Sequence, residues 1–330
     1  MSTSENLLSI IIPVYNASEY IDHFMTKLTK TKSEKTEIII IENGSDDDSL
    51  KKLQPYANQA TIIHFNENLG VSYARNEGLK KSSGTFFTFL DVDDDFEPKI
   101  LDKMLKAIQD TDSDLCVANY NEVNESTGQT VASKYNYSVF ADKDTLRLFL
   151  TDRIGPAVWD KIYRRSTLGN IKFDQTLTVG EDILYILNVF LKKPKTVFLN
   201  DVYYHYIQHE NSIMHTLNPH LLEFLSVPKK ITTTQKIILD NYPAEWHFFK
   251  LEMYTRAIHS LSSGYKTDRK AAKSHLKKVY NRATLSKIIK NTYFPSTIKL
   301  EMFILKTFGI EFHLFLMPLY NITRKISRHS

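Results

Sequence analysis

At 330 residues the chain has room for one large domain or two ordinary ones. With 42% apolar, 24% charged and 12% aromatic residues it is an ordinary globular mixture, which excludes wholesale disorder; its single cysteine, Cys116, excludes an intramolecular disulfide and a cysteine-rich metal site. The net charge of +4 hides a division: residues 221–330 carry 19 Lys+Arg against 7 Asp+Glu, net +12, which leaves residues 1–220 at net −8. The opening Met-Ser-Thr-Ser-Glu-Asn has no signal-peptide character, so a reducing cytoplasmic setting is the expectation.

Leu8–Val14 is a nearly continuous apolar run, which reads as a strand buried on both faces. Ser18 then caps a helix whose face is Ile21, Phe24, Met25 and Leu28. A second buried strand, Glu37–Ile41, ends in Glu42-Asn43-Gly44-Ser45, and a short helix carries Leu50 and Leu53. Thr61–Phe65 reads as a third strand, Gly70–Lys81 as a helix, and Thr85–Leu90 as a fourth strand entering Asp91-Val92-Asp93-Asp94-Asp95. Pro98 suits the first turn of a helix with Ile100, Leu101, Met104, Leu105 and Ile108 on one face, and Leu115–Tyr120 is another strand. Residues 121–139 are polar and turn-rich and read as a hairpin or a mobile loop, 140–220 mix both patterns, and 221–330 look almost wholly helical. Strands alternating with helices predict an α/β, doubly wound, mostly parallel sheet with a C-terminal helical extension. In such sheets ligands bind beyond the carboxyl ends of the strands, so the polar clusters after three strands should meet at one edge.

Four carboxylates in the five residues 91–95 repel one another unless something positive is nearby. Such a run either holds a hard divalent cation against substrate phosphates or is a solvated acidic turn before a helix. The loop Asn66-Glu67-Asn68-Leu69-Gly70 leads into a helix with Arg75, Asn76 and Gly78, where a close backbone approach and a guanidinium could meet an anion. Glu181 and Asp182, after Gly180, are either simple first-turn helix acids or a general base and its neighbour.

Five short motifs stand in order: Pro13-Val14-Tyr15-Asn16, Glu42-Asn43-Gly44-Ser45, Asn68-Leu69-Gly70 with Ala74-Arg75-Asn76-Glu77-Gly78, Phe89-Leu90-Asp91-Val92-Asp93-Asp94, and Gly180-Glu181-Asp182. Trp159-Asp160-Lys161-Ile162-Tyr163 and Asn211-Ser212-Ile213 add to them. Together, over roughly residues 7–215, they resemble glycosyltransferase family 2 of the bacterial surface-polysaccharide type, with its GT-A fold. The resemblance implies a glycosyltransferase domain over 1–220, with a nucleotide-sugar half in 1–120 and an acceptor half in 121–220. Pro13, Tyr15, Asn16 and Asn43 would line the base and ribose pocket, with Arg75 near the ribose or pyrophosphate. Asp91 and Asp93 would contact the donor, and Asp93, Asp94 and His215 would hold Mn²⁺ or Mg²⁺. Asp182, with Glu181 beside it, would take the acceptor proton. The donor it implies is a nucleotide-sugar, with UDP-sugar the expected one, and the acceptor a glycan, a lipid-linked oligosaccharide or a teichoic acid. One departure stands out: relatives carry two Asp where this chain has Glu42-Asn43. An Asn carbonyl can still accept from the uracil N3–H, but the exchange bears on base selectivity.

Residues 302–319 form an apolar run interrupted by Lys306, Glu311 and His313, followed by Arg324, Lys325 and Arg328. A helix spanning the bilayer is disfavoured by these charges. Two readings stand: an interfacial segment that docks on an anionic membrane from the cytoplasmic side, or a core helix that packs the tail. Homo-oligomerisation through the tail is equally open. A nucleic-acid partner is excluded, since no reading module is present and the first 220 residues are acidic. The competing readings are nucleotidyl transfer, which would release pyrophosphate, and a non-catalytic partner subunit, which only Glu42-Asn43 favours. A receiver-like signalling domain leaves Trp159–Tyr163 and Gly180–Asp182 unexplained.

Overall fold

The computed structural model describes residues 7–31, 35–133, 144–209, 218–263 and 269–327. The chain divides into two compact units, Met1–Leu146 with Gly155–Gln208, and Arg147–Ile154 with His209–Ser330.

The first unit is built on one sheet. Strands β1 (Leu8–Val14), β2 (Thr36–Asn43), β3 (Thr61–Phe65) and β4 (Phe86–Phe89) alternate with helices α1 (Ser18–Thr31), α2 (Ser49–Leu53) and α3 (Val71–Lys81). β5 (Asp95–Phe96), α4 (Pro98–Asp110), β6 (Leu115–Asn124), β7 (Thr130–Ala132), β8 (Lys161–Arg164), α6 (Arg165–Leu168), α7 (Glu181–Leu191) and β9 (Thr196–Gln208) follow, while α5 (Thr145–Leu150), between β7 and β8, belongs from Arg147 onward to the second unit. The strand order is β3-β2-β1-β4-β8-β6-β9-β5, with β7 paired to β6. The long ladders, β1 with β2 and β4, β2 with β3, and β6 with β9, are parallel. The antiparallel pairings, among them β8 with β4 and β6, are short. This is the mixed, mostly parallel sheet that the alternating pattern predicts.

Both faces of the sheet are covered, which is why β1 and β2 read as continuous apolar runs. Ile38 and Ile40 join Ile21, Phe24, Met25 and Leu28 of α1 and Leu101, Met104 and Ile108 of α4 in one core. Ile39 and Ile41, pointing the other way, pack with Ala74 of α3. A Cβ on Gly78 would lie 2.3 Å from Ile11 Cγ2, so the glycine lets α3 settle directly on β1. The chain moves from β1 outward to β2 and β3, then returns to place β4 on the other side of β1. That reversal sets the carboxyl ends of β1 and β4 side by side, the place at which open α/β sheets bind ligands.

Two features differ from the sequence reading. β5 is a two-residue strand inside the acidic stretch, paired with Tyr204 and His205 of β9. β6 runs past Tyr120 to Asn124, because Asn119–Asn124 are paired by Val202–Gln208 on one side and Asn121–Val123 by β7 on the other, and the β6–β7 pair is the hairpin expected within 121–139. No apolar alternation marks either feature; strand partners supply the hydrogen bonds.

The second unit is helical: two 3-10 turns, Pro219–Leu225 and Val227–Lys230, then α8 (Thr233–Leu239), α9 (Pro243–Ser263), α10 (Arg269–Val279), α11 (Arg282–Lys290) and α12 (Ser296–Ser327). Thr232 and Gln235 form a capping box at the start of α8, and Asn281 accepts from Ala283 and Thr284 N–H at the start of α11. α12 packs against α9, α10 and α11. No helix among the described residues is long and apolar enough to cross a membrane.

Candidate active site

The loops after β1 and β2 are tied together by side chain–backbone hydrogen bonds. Asn16, at φ 48°, holds the left-handed conformation that Asn tolerates. Its N–H donates to Ser45 Oγ at 2.9 Å, and its Oδ1 accepts from the Asp46 N–H at 2.9 Å. Ser18 N–H donates to Asp47 Oδ2 at 3.0 Å and Ser49 N–H to Asp47 Oδ1 at 2.9 Å. Burial pushes the Asp47 carboxyl up, but the hydrogen bonds from Ser49 and Ser18 outweigh it and bring it down to about 2. Pro13 sits opposite Ile41 in the sheet, and Tyr15, just past the end of β1, is 42% exposed.

Glu42 and Asn43 are both buried and engaged. Glu42 Oε1 accepts from the Ser45 N–H at 2.8 Å, and Oε2 meets His64 Nδ1 at 2.5 Å. Asn43 Oδ1 accepts from the Leu69 N–H at 3.2 Å, while Nδ2 donates to Asn68 Oδ1 at 3.0 Å. Asn68 Oδ1 also accepts from the Gly70 N–H at 2.9 Å. Gly44, at φ 72°, completes the fit: a Cβ there would stand 2.3 Å from the Glu67 carbonyl carbon. The loop ahead of α3 is thus seated on the end of β2.

Arg75 is the centre of the arrangement. It is 6% exposed, and its guanidinium reaches two carboxylates far apart in sequence. Nη2 donates to Asp91 Oδ1 at 3.0 Å and Oδ2 at 3.3 Å, and Nη1 donates to Glu181 Oε1 at 3.3 Å. Burial acts to lower its proton affinity, but the Asp91 and Glu181 charges more than reverse this and raise it. The guanidinium lies over the Phe173 ring, 5.4 Å to the centroid, and Phe173 stacks on Tyr185 at 4.0 Å. Asn76 holds Phe173 from both sides of its peptide: Nδ2 donates to Phe173 O and Oδ1 accepts from Phe173 N–H, each at 2.9 Å.

The acidic run is divided among separate partners. Asp91 faces Arg75, and its own N–H donates to the Tyr204 hydroxyl at 3.0 Å. Asp94 is buried, and its Oδ1 accepts from the Ile207 N–H at 2.7 Å. Burial, with Asp93 and Asp91 adding to it, pushes the Asp94 carboxyl well up. Asp95 pairs with Lys27 at 2.5 Å. Asp93 is partly exposed and lies within electrostatic reach of Asp94 and Tyr204.

Glu181 and Asp182 open α7 behind Gly180, which is left-handed at φ 85°. Burial and the adjacent Asp182 raise the Glu181 carboxyl against the lowering pull of Arg75. Asp182 is partly exposed, and its Oδ1 accepts from the Ile183 N–H at 2.6 Å. Beneath lies a fully buried pair: Lys161 Nζ donates to Asp160 Oδ1 at 2.6 Å and to the carbonyls of Gly155 and Ala157 at 3.0 and 2.7 Å. Trp159, beside it, stacks on Tyr204 at 4.2 Å.

Of the residues named from sequence, the structure brings Arg75, Asp91, Glu181 and, beside Glu181, Asp182 together, and ties Asn16 and Asn43 into adjoining loops. His215 lies outside the described residues. Among the described residues no three His, Cys, Asp or Glu side chains form a metal-holding cluster. The donor set nonetheless fits a hard divalent cation. Such ions are held beside phosphates by one or two carboxylates, and Asp93 supplies one at the partly exposed end of the run. Asp94, turned to β9, is suited to holding the run in place. The positioning parts Asn76, Phe173 and Tyr204 were not read from sequence. Asn76 alone carried a signal, by standing next to Arg75 in the Ala74-Arg75-Asn76-Glu77-Gly78 stretch.

The Glycosyl transferase family 2 model matches residues 9–171. These residues form a glycosyltransferase family 2 domain. Glycosyltransferase GlyA of Streptococcus pneumoniae is 26% identical over 79% of this chain and 38% of its own length. Poly(ribitol-phosphate) beta-N-acetylglucosaminyltransferase TarS of Staphylococcus aureus is 27% identical over 60% of this chain and 35% of its own. The chain thus spans well under half the length of these two relatives. The structure of TarS 1-349 in complex with UDP-GlcNAc matches with a TM-score of 0.59 at 18% identity, over 96% of this chain and 92% of that one. Mannosyltransferase PcManGT from Pyrobaculum calidifontis, in complex with GDP-Man and Mn²⁺, matches at 0.55 and 12%, over 97% and 88%. Both likenesses are of fold, and the fold is GT-A.

Proposed function

We propose that the chain is an inverting, metal-dependent glycosyltransferase that moves a sugar from a UDP-sugar to a hydroxyl of a cell-surface glycan, a lipid-linked oligosaccharide or a teichoic acid on the cytoplasmic side of the membrane. The observation that carries this reading is Arg75 held between Asp91 and Glu181. One cation couples the strand end bearing the acidic run to the helix start bearing the candidate base.

In this reading the base of the donor lies against Tyr15 and Asn43. The Leu69 N–H keeps the Asn43 amide oxygen facing the loop, and that oxygen retains a second lone pair suited to a ring N–H such as uracil N3–H. Asp91 and Asp93 face the ribose and pyrophosphate, and Asp93 would hold the divalent ion, with Asp94 as its support. The ion, when bound, supplies positive charge to the departing diphosphate. Arg75, fixed in a poorly hydrated place, lies ready to stabilise the same charge. Asp182 accepts the proton of the acceptor hydroxyl. The acceptor oxygen bonds to the anomeric carbon as the bond from that carbon to the diphosphate oxygen breaks, and UDP leaves. Displacement on an α-linked donor then gives a β-linkage. The UDP-GlcNAc complex of TarS and the Mn²⁺ complex of PcManGT support the donor and metal parts by analogy of fold.

The test is UDP release from a panel of UDP-sugars with Mn²⁺ and a glycan acceptor. Asp182→Asn should keep UDP affinity and lose at least about a hundredfold in transfer, as expected for removing a general base. Transfer at the wild-type rate by Asp182→Asn would overturn the base assignment.

A further inference from the structure

We propose that the outward face of α12 is a docking surface for an anionic lipid bilayer. The inference extends the acceptor reading above, since a lipid-linked glycan would be met at such a surface, but it stands on the helix itself. α12 bends at Gly309, whose φ of 82° and ψ of −178° break the helix into two segments. One face of both segments is inward, with Met302, Leu305 and Leu314 buried. The other is apolar and open to solvent: Leu300 is 56% exposed, Phe303 49%, Phe308 58%, Phe312 42% and Phe315 71%. The rings of Phe308 and Phe312 touch at 4.9 Å, and Phe312 and Phe315 lie 6.4 Å apart, so the stripe is continuous past the bend. A contiguous aromatic stripe in water marks a contact surface rather than scattered surface residues.

Of the polar residues that interrupt this run in the sequence, one turns inward and one is paired. His313 is fully buried and meets Ser262 Oγ through Nε2 at 3.1 Å. Glu311 is paired with Lys273 of α10. The outward face thus keeps its aromatic rings with one exposed carboxylate, Glu311, neutralised by Lys273, while no helix among the described residues is built to span. A segment of this kind lies in the interface with its aromatic side toward the acyl chains.

Charge selects the occupant. Residues 221–330 carry net +12, with Lys299 and Lys306 on α12 itself and Arg324 and Lys325 further along the same helix. Two such surfaces repel one another, whereas anionic headgroups attract them. A bilayer rich in phosphatidylglycerol thus fits better than a second copy of the chain.

The experiment is co-sedimentation of the full chain with vesicles of phosphatidylcholine alone or with about 30% phosphatidylglycerol, repeated at high salt. The wild type should bind the anionic vesicles and release in salt, and the triple variant Phe308→Ser, Phe312→Ser, Phe315→Ser should bind roughly tenfold less or weaker still. These side chains are exposed, so circular dichroism and UDP affinity of the variant should match wild type. Equal binding by wild type and variant, or binding indifferent to phosphatidylglycerol, overturns the proposal. A wild-type dimer that the variant converts to monomer, without vesicle binding by either, overturns it in favour of self-association. No donor or acceptor enters the assay, so its failure leaves the transfer reading intact, and a failed transfer assay leaves this result intact.

Discussion

The two units depart from the ordinary partition of residues in opposite directions. The first draws charge inward: Glu42, Arg75, Asp94, Asp160 and Lys161 are all buried. The second, beside a few buried polar groups such as Glu301, sends large apolar side chains outward along α12. Buried charge is expensive unless partnered, and here every one of those five has a named hydrogen bond. Exposed aromatic surface is costly too unless something outside the chain covers it. The difference teaches where to look for each partner. The first unit has arranged fixed charge for a small polar ligand, and the second has left a surface for something large and apolar.

Breaking the first half of that comparison should have the largest effect. Arg75→Ala leaves Asp91 and Glu181 facing each other without their cation. It should cost about 3 kcal/mol of stability, measured by urea unfolding, and abolish transfer. A loss under about 1 kcal/mol would mean that the bridge does not fasten the site. Gly44→Ala comes next. Its left-handed φ and the collision with the Glu67 backbone should cost about 2 kcal/mol and weaken UDP binding by displacing the loop before α3.

Asp47→Ala should cost about 1 kcal/mol, since it removes the acceptor for the first N–H of α1. The pH dependence has a definite sign. The folded carboxyl lies below its ordinary value, so its contribution is full above 3.8 and disappears as pH falls through about 2. The wild type and Asp47→Ala melting curves should converge over that interval. Glu181 carries the opposite sign. Its carboxyl is raised, so the folded state is penalised as pH climbs above 4.5 and the group ionises. Glu181→Gln should therefore gain in melting temperature relative to wild type as pH rises, while transfer falls because Arg75 loses an anionic partner. The smallest effect sharpens the other half of the comparison: Phe315→Ser, at a position 71% exposed, should change stability by no more than about 0.5 kcal/mol in solution.

The parts legible in the sequence were those set by local pattern. β1 and β2 are the apolar runs that covered parallel strands require, α1 and α4 show their inward faces, and the motifs mark the strand ends where the site lies. The parts that were not legible depend on distant partners. Asp91, Asp94 and Asp95 look alike in the run, yet Arg75, the Ile207 N–H and Lys27 divide them, and Ile207 is 113 residues away. Asn43 reads as a substitution in a binding motif, while its amide also seats Leu69. In α12, His313 reads as a break in an apolar run, and only packing shows that it turns inward.

The most direct test of the central claim is calorimetric titration of the full chain with UDP, with and without Mn²⁺, alongside CDP. The arrangement around Arg75, Asn43 and Asp93 predicts that UDP binds with Mn²⁺ present, that removing the metal or making Asp93→Ala weakens it at least about tenfold, and that CDP, without a ring N–H at N3, binds less well. UDP binding that is absent under all conditions, or indifferent to both Mn²⁺ and Asp93, would contradict the donor site described for this chain.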